Sequence, residues 1–325
     1  MKHSLPGYIS SLLHKMPKHP PFPTQYHPRR FGESKYVYPV VSRRSGGVSI
    51  GININPDGSC TFACVYCQVL ADTPGEQPKG TLASLPYRPE HVDLFLLESE
   101  LRKTVETVLS GAIFEEVAHS GIAGSGGHFA QTAPERRQLK DIAFSGDGEP
   151  TLADCFPEAV EIALRVRREF CPSTTKLVLI TNATRLHLPG VRRAVARLAE
   201  ANGEIWAKLD AGTEAFHNVV SRSRIPLAGI QENILLTAKE RPVVIQTCLF
   251  RRENAIISAG ELAAYTDRLR AIRDEGGTIL RIQLYTIARK TPDAGIGPLS
   301  DEELDRLAET VRDSTGLVVE TFYSR

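Results

Sequence analysis

Three cysteines stand within eight residues, Cys60-Thr61-Phe62-Ala63-Cys64-Val65-Tyr66-Cys67, a C-x3-C-x2-C run. Thiolates are ligands for soft metals, and three of them can hold three corners of an iron–sulfur cubane while the fourth iron stays open. An open coordination position is where chemistry enters, as at a catalytic zinc. The other readings are an electron-transfer cluster and a zinc site, and each wants a fourth ligand. The next cysteine is Cys155, and neither Cys nor His occurs between Cys67 and His91. With three cysteines clustered and three scattered (Cys155, Cys171, Cys248), the set lacks the even spread of a disulfide framework. A reducing compartment is expected, and we place the chain in the cytoplasm.

Further polar groups fall where strands should end. Phe144-Ser145-Gly146-Asp147-Gly148-Glu149-Pro150 closes one strand and Thr181-Asn182 another. Lys208 and Asp210 share one face of a third strand, where they form either an acid/base pair or an ion pair that satisfies two interior charges. Cys248 is either a hydrogen-atom donor or a small buried hydrophobe. Cys155 and Cys171 read as structural.

These groups need a scaffold, and hydrophobic periodicity supplies one. Strands are expected at Val48 to Asn53, Asp141 to Ser145, Lys176 to Ile180, Glu204 to Leu209, Val243 to Leu249, Thr278 to Leu284 and Leu317 to Glu320. Helices are expected at Val92 to Leu109, Pro157 to Arg168, Gly190 to Glu200, Ile230 to Lys239, Ala259 to Arg273 and Asp301 to Asp313. Alternation at this spacing means a parallel sheet with helical crossovers. Strands buried on both faces of a doubly wound sheet would be continuously apolar. Here one face carries Trp206, Lys208 and Asp210, another Gln246 and Cys248, another Arg281, Gln283 and Tyr285. That pattern predicts an α/β chain folded as a partial (β/α) barrel whose polar faces line an interior. Lys208, Asp210 and Arg281 are the candidate catalytic residues there, with Arg281 suited to grip an anion.

The 325 residues, 42% hydrophobic and 24% charged, are those of a globular chain. No apolar run approaches the roughly 18 residues of a membrane helix, and no membrane partner is expected. Residues 1–46 carry eight Lys/Arg against one acid, Glu33, and read as a basic, Pro-rich arm before a barrel domain at 47–325. Such an arm is either a solvated strap or a contact for a phosphate backbone. Gly121 to Gly127 lacks the preceding strand and following Lys-Ser/Thr of a phosphate loop, and reads as an insert.

The cysteine run after a first strand, with Tyr66 before its last Cys, resembles the radical S-adenosylmethionine (SAM) superfamily. The resemblance implies a 4Fe–4S cluster on Cys60, Cys64 and Cys67, with S-adenosylmethionine chelating the fourth iron. One-electron reduction would then split the cofactor into methionine and a 5′-deoxyadenosyl radical that takes hydrogen from a substrate. Gly146-Asp147-Gly148-Glu149-Pro150 resembles the family's Gly-Gly-Glu-Pro segment, which receives the methionine amino group, with Asp147 in place of the first Gly. By the same likeness Tyr66, Gly146, Gly148, Glu149, Asn182 and Gln283 are assigned to the cofactor. Val37 to Arg44, Asn55-Pro56-Asp57 and Gln283 to Thr286 are similar to a subgroup related to the wybutosine-synthesis enzymes, which modify a tRNA guanine. This chain has no flavodoxin domain, so an external flavodoxin- or ferredoxin-type reductant is implied. Two other readings stand beside the enzyme: a non-catalytic Fe–S carrier or sensor, and a zinc-stabilised binding module. The substrate, whether a tRNA base, a peptide or a small molecule, is unidentified.

Overall fold

The structure is a computed structural model that describes residues 31–69, 91–115, 129–289 and 291–324. Most of the basic arm, before residue 31, and the stretch Gly121 to Gly127 lie outside the described residues.

Ten strands are formed among the described residues: β1 (Val37–Ser42), β2 (Gly47–Ile52), β3 (Leu139–Phe144), β4 (Lys176–Thr181), β5 (Gly203–Lys208), β6 (Val243–Cys248), β7 (Arg251–Arg252), β8 (Ile279–Tyr285), β9 (Ile296–Gly297) and β10 (Val319–Phe322). Eight of them build one curled sheet in the order β1-β2-β3-β4-β5-β6-β8-β10, while β7 and β9 form a small antiparallel pair. From β2 onward every pairing in the large sheet is parallel. Parallel neighbours need crossovers, and helices supply them: α1 (Leu94–Leu109), α2 (Phe156–Phe170), α3 (Pro189–Glu200), α4 (Glu214–Ser221), α5 (Leu227–Glu240), α6 (Ala259–Asp274) and α7 (Asp301–Thr315). The sheet runs from one edge to the other without closing, so the architecture is a partial (β/α) barrel.

Local chemistry starts and stops these helices. Asp93 accepts from the N–H groups of Phe95 and Leu96 at the start of α1, and Ser300 with Glu303 closes a capping box on α7. Gly316 ends α7 in the left-handed conformation that glycine adopts without a steric penalty.

The alternation along the strands sorts their side chains as expected. Ile205, Ala207, Ile245, Ile282 and Leu284 pack outward with helix residues such as Val160, Ile234 and Leu269 in one apolar core. On the opposite face Ala143, Val178, Trp206 and Val244 form a separate layer that floors the interior. Below it, at the N-terminal ends of the strands, Glu204 binds Arg281 at 2.6 Å, Lys176 at 2.5 Å and the Trp206 indole N–H at 2.8 Å.

The basic segment and the barrel divide earlier than residue 47. Val37–Ser42, expected within the arm, is the first strand, antiparallel to β2 across six residue pairs. Pro39 lies within this strand, and β1 is an edge, where a missing N–H is tolerated. Glu100 on α1 secures it, accepting from the backbone N–H groups of Lys35 (2.7 Å), Tyr36 (2.8 Å) and Val37 (3.2 Å).

The buried charge cluster yields a test. Burial pushes the Glu204 carboxyl up, but the bonds from Arg281, Lys176 and Trp206 outweigh it and bring it down to about 2. A carboxyl held below its unfolded value stabilises the fold above that value, near 4.3, and loses the contribution as pH falls toward 2. Glu204→Gln should therefore cost about 2 kcal/mol at pH 7 and shrink the stability lost between pH 5 and pH 3, measured by denaturant titration.

Candidate functional site

The cysteine run leaves the C-terminal end of β2 and is tied down from three sides. The Ala63 and Val65 N–H groups donate to the carbonyls of Ser221 and Val220 at 2.7 and 2.9 Å, and Ser223 Oγ donates to the Thr61 carbonyl at 3.0 Å. The Glu149 N–H donates to the Ser59 carbonyl at 2.8 Å. Asn182 Nδ2 donates to Thr61 Oγ1 at 2.8 Å and stands 3.7 Å from Cys60 Sγ. Thus β3, β4 and α4 all hold a loop that has little regular structure of its own.

Glu149 is central to this anchoring. Its buried carboxylate accepts from Thr151 N–H (3.1 Å) and Oγ1 (2.5 Å), Thr181 Oγ1 (2.7 Å) and Asn182 N–H (2.7 Å). Both oxygens are occupied, so the side chain joins the ends of β3 and β4 and leaves the backbone of 146–149 to face the cavity. Gly148 is required there because a β-carbon would run into the Ser59 carbonyl oxygen. Gly146 has φ +145°, and a β-carbon on it would strike the Asn53 side chain. Asp147 is held by the same residue, Asn53 Nδ2 donating to its Oδ2 at 2.7 Å.

Cys60, Cys64 and Cys67 border one cavity of about 330 Å³, together with Tyr66, Gly146, Gly148, Glu149, Asn182, Lys208, Gln246, Cys248 and Tyr285. Burial pushes the Cys60 thiol up to about 12, with Glu149 and Cys67 adding to it. Burial also raises Cys64, reinforced by Cys67, Asp210 and Cys60. Thiols that repel one another's charge in this way become stable thiolates only against a cationic partner. Among the described residues no three His, Cys, Asp or Glu side chains gather closely enough to share a single metal ion. A cubane makes no such demand, because each thiolate takes a separate iron. Cys248 borders the cavity too, but its charged neighbours are Lys208, Asp210 and Arg44 rather than the three thiols. The donor set fits a cluster with three protein ligands.

Beside the cysteines lies a polar network. The Tyr66 hydroxyl donates to Asp210 Oδ2 at 2.5 Å, and Lys208 Nζ is 3.3 Å from the same oxygen. Asp210 Oδ1 accepts from the Cys248 N–H at 2.8 Å. Lys208 also donates to the Tyr285 hydroxyl and lies 4.9 Å and 4.8 Å over the Tyr66 and Tyr285 rings. Burial opposes the Lys208 charge, but Asp210 and Tyr285 more than offset it and hold the ammonium above the usual lysine range. Lys208 is therefore a cation at neutral pH, and Asp210 orients it.

The structure thus brings together the cysteines, Tyr66, Gly146, Gly148, Glu149, Asn182, Lys208 and Asp210. Gln283 stands level with Gln246 on the neighbouring strand, its Oε1 accepts from Gln246 Nε2 at 2.8 Å, and of the two only Gln246 lines the cavity. Arg281 is separated from this group. It faces the interior as expected, but at the N-terminal end of β8, where Glu204 and Glu320 occupy its guanidinium. Cys155 and Cys171 flank α2 away from the cavity. Two residues that sequence reasoning left in the arm, Arg43 and Arg44, enter the cavity from the β1–β2 turn. Their sequence-level signals are their place at the end of Val37 to Arg44, the segment that resembles the wybutosine-synthesis subgroup, and the adjacency of two arginines to a Ser-Gly-Gly turn.

No protein-family model matches the chain, and no curated protein matches it in sequence. Solved structures do resemble it. A structure of TYW1 with a lysine–pyruvate adduct bound is similar with a TM-score of 0.52 at 14% identity, covering 96% of this chain and 90% of that one. Archaeal TYW1 is similar at a TM-score of 0.48 and 13% identity, over 96% and 90% of the two chains. Streptococcus suis SuiB matches at 0.48 and 13%, over 81% of this chain but 47% of its own. At 14% identity the likeness to the TYW1 structure shows a common fold, the partial barrel.

The close approach at Gly148 is open to test. Gly148→Ala should lower stability by roughly 1–3 kcal/mol and speed alkylation of Cys60 and Cys64, because the cysteine loop must move to admit the methyl group. Gly190→Ala on α3, where a β-carbon meets nothing within 4 Å, should be neutral or stabilising by up to about 1 kcal/mol.

Proposed function

We propose that the chain is a radical SAM enzyme, with Cys60, Cys64 and Cys67 as the ligands of a 4Fe–4S cluster and Gly146 to Glu149 and Asn182 beside the methionine end of S-adenosylmethionine. The observation that carries this reading is the meeting of three thiols with that glycine segment in one cavity, at the C-terminal ends of parallel strands. When bound, the cluster and cofactor supply one-electron cleavage to methionine and a radical able to take a hydrogen atom from a substrate.

The chain's own residues do the rest. Glu149 fixes the glycine segment so that its backbone groups, rather than the carboxylate, are presented to the cofactor. Tyr66, held by Asp210 through its hydroxyl, keeps its backbone in place for the adenine. Lys208 offers a charged donor between the cysteine loop and the opposite cavity wall, and Asp210 is its positioning residue. Arg281 belongs to the ion cluster under the barrel floor, so the catalytic role considered for it passes to Lys208. A flavodoxin- or ferredoxin-type protein is the reductant in this reading, and the cytoplasm suits cysteines that must stay reduced. No helix among the described residues is long and apolar enough to cross a membrane. A tRNA base, as for the wybutosine-synthesis enzymes, competes with a small molecule as the substrate.

Anaerobic reconstitution tests the reading. The chain should take up about four iron and four sulfide. Alanine at Cys60, Cys64 or Cys67 should abolish loading, while Cys155→Ala and Cys171→Ala should retain it. With dithionite and S-adenosylmethionine, the loaded protein should release methionine and 5′-deoxyadenosine. A loaded protein that binds the cofactor and yields neither product under any reductant is an electron carrier or sensor instead.

A further inference from the structure

Among the described residues four cationic side chains line the cavity, Arg43, Arg44, Lys208 and Arg289. Three of them are accounted for. Lys208 pairs with Asp210, and Arg289 donates to Gln68 Oε1 at 2.9 Å. Arg44 lies 5.8 Å over the Trp206 ring and 5.2 Å over the Tyr285 ring, with Asp141 close enough to feel its charge. Arg43 differs. Its Nη1 is buried and has no hydrogen-bond partner, and among the described residues it forms no ion pair. The ionisable groups that act on it are Arg44, Cys248 and Tyr285, and none of these is a carboxylate.

A buried guanidinium donor left unmatched is costly, and chains retain such a group where a ligand completes it. Arg281 shows the contrast: the same residue type in the same barrel interior is closed by two carboxylates. Burial and the neighbouring Arg44 lower Arg43 to about 10, which leaves it charged at neutral pH. Arginine's planar fork matches a carboxylate or phosphate through two parallel hydrogen bonds.

We infer that Arg43, reaching in from the β1–β2 turn, seats an oxyanion of the substrate, a carboxylate or phosphate, on the cavity wall shared by Tyr285 and Cys248. The inference rests on the reading of this cavity as the substrate site. The seat adjoins Lys208 through Tyr285, and Lys208 in turn lies 4.9 Å over the ring of Tyr66, between the second and third cysteines of the loop. An oxyanion held by Arg43 therefore leaves the remainder of a small substrate directed toward the cysteine loop. The same chemistry has a second source, the carboxylate of S-adenosylmethionine itself, and the experiment must separate the two.

Inorganic phosphate and acetate serve as probes, titrated calorimetrically into the full chain, cluster-loaded, with and without saturating S-adenosylmethionine. The expected result is one site per chain for which the two anions compete, retained when the cofactor is bound. Arg43→Gln should weaken binding about tenfold or more, and Arg43→Lys, which keeps the charge but loses the fork, should recover part of it. Arg192→Gln, on the outer surface where Arg192 pairs with Glu240, should match the wild type. Three outcomes overturn the inference: neither anion binds, Arg43→Gln binds both as wild type does, or the cofactor displaces them and loses affinity itself in Arg43→Gln. Iron content and 5′-deoxyadenosine release measured on the same samples keep the two readings apart. Loaded, cofactor-cleaving protein without an anion site refutes only the seat, and an Arg43-dependent anion site in protein that cannot hold iron refutes only the enzyme.

Discussion

Glu149 is a carboxylate buried to 2% exposure, and the arrangement of the site follows from how it is satisfied. A charge in that position is tolerable only if donors surround it. The donors come from Thr151, Thr181 and the Asn182 backbone, which fixes the ends of β3 and β4 relative to one another. Asn182, held by its own N–H, turns its amide to Thr61, while the Glu149 N–H takes the Ser59 carbonyl. Three loops that are distant in sequence are therefore positioned by one acid. The cysteines inherit that placement without needing regular structure themselves.

The barrel separates duties along its axis. Glu204, Arg281, Lys176 and Glu320 close the N-terminal end with ion pairs, and the Trp206 layer lies over them. Above that layer the polar groups change from mutually satisfied to outward-looking: Lys208 is oriented by Asp210 but still borders the cavity. This gradient is what a site needs, because stability comes from the closed end and recognition from the open one.

Much of this was legible in the sequence. Strict alternation at Trp206/Lys208, Gln246/Cys248 and Arg281/Gln283/Tyr285 gave the inward faces correctly, because a strand's period of two is a property of the backbone. The cysteine spacing marked the loop. What alternation could not supply was height along the barrel axis. Arg281 and Tyr285 share a face but stand at opposite ends of β8, so one meets Glu204 and the other Lys208. Nor could local pattern reveal Glu149 as a brace, since the partners that tie it to β4, Thr181 and Asn182, lie about thirty residues away. The edge strand β1 fell within the stretch read as the basic arm, and with it the reason for Arg43 and Arg44 to turn inward.

That edge strand has an architectural consequence. β1 and its turn form one contiguous hairpin, docked along β2 and steadied by Glu100 on α1. The cysteine loop is anchored at the other end of β2, by residues that the hairpin does not touch. Substitutions or changes of length between Ser42 and Gly47 would reshape one wall of the cavity and leave the thiols where they are. The fold thus has a fixed jaw and an exchangeable one, and related chains could diversify in substrate by editing a four-residue turn while conserving the chemistry opposite it.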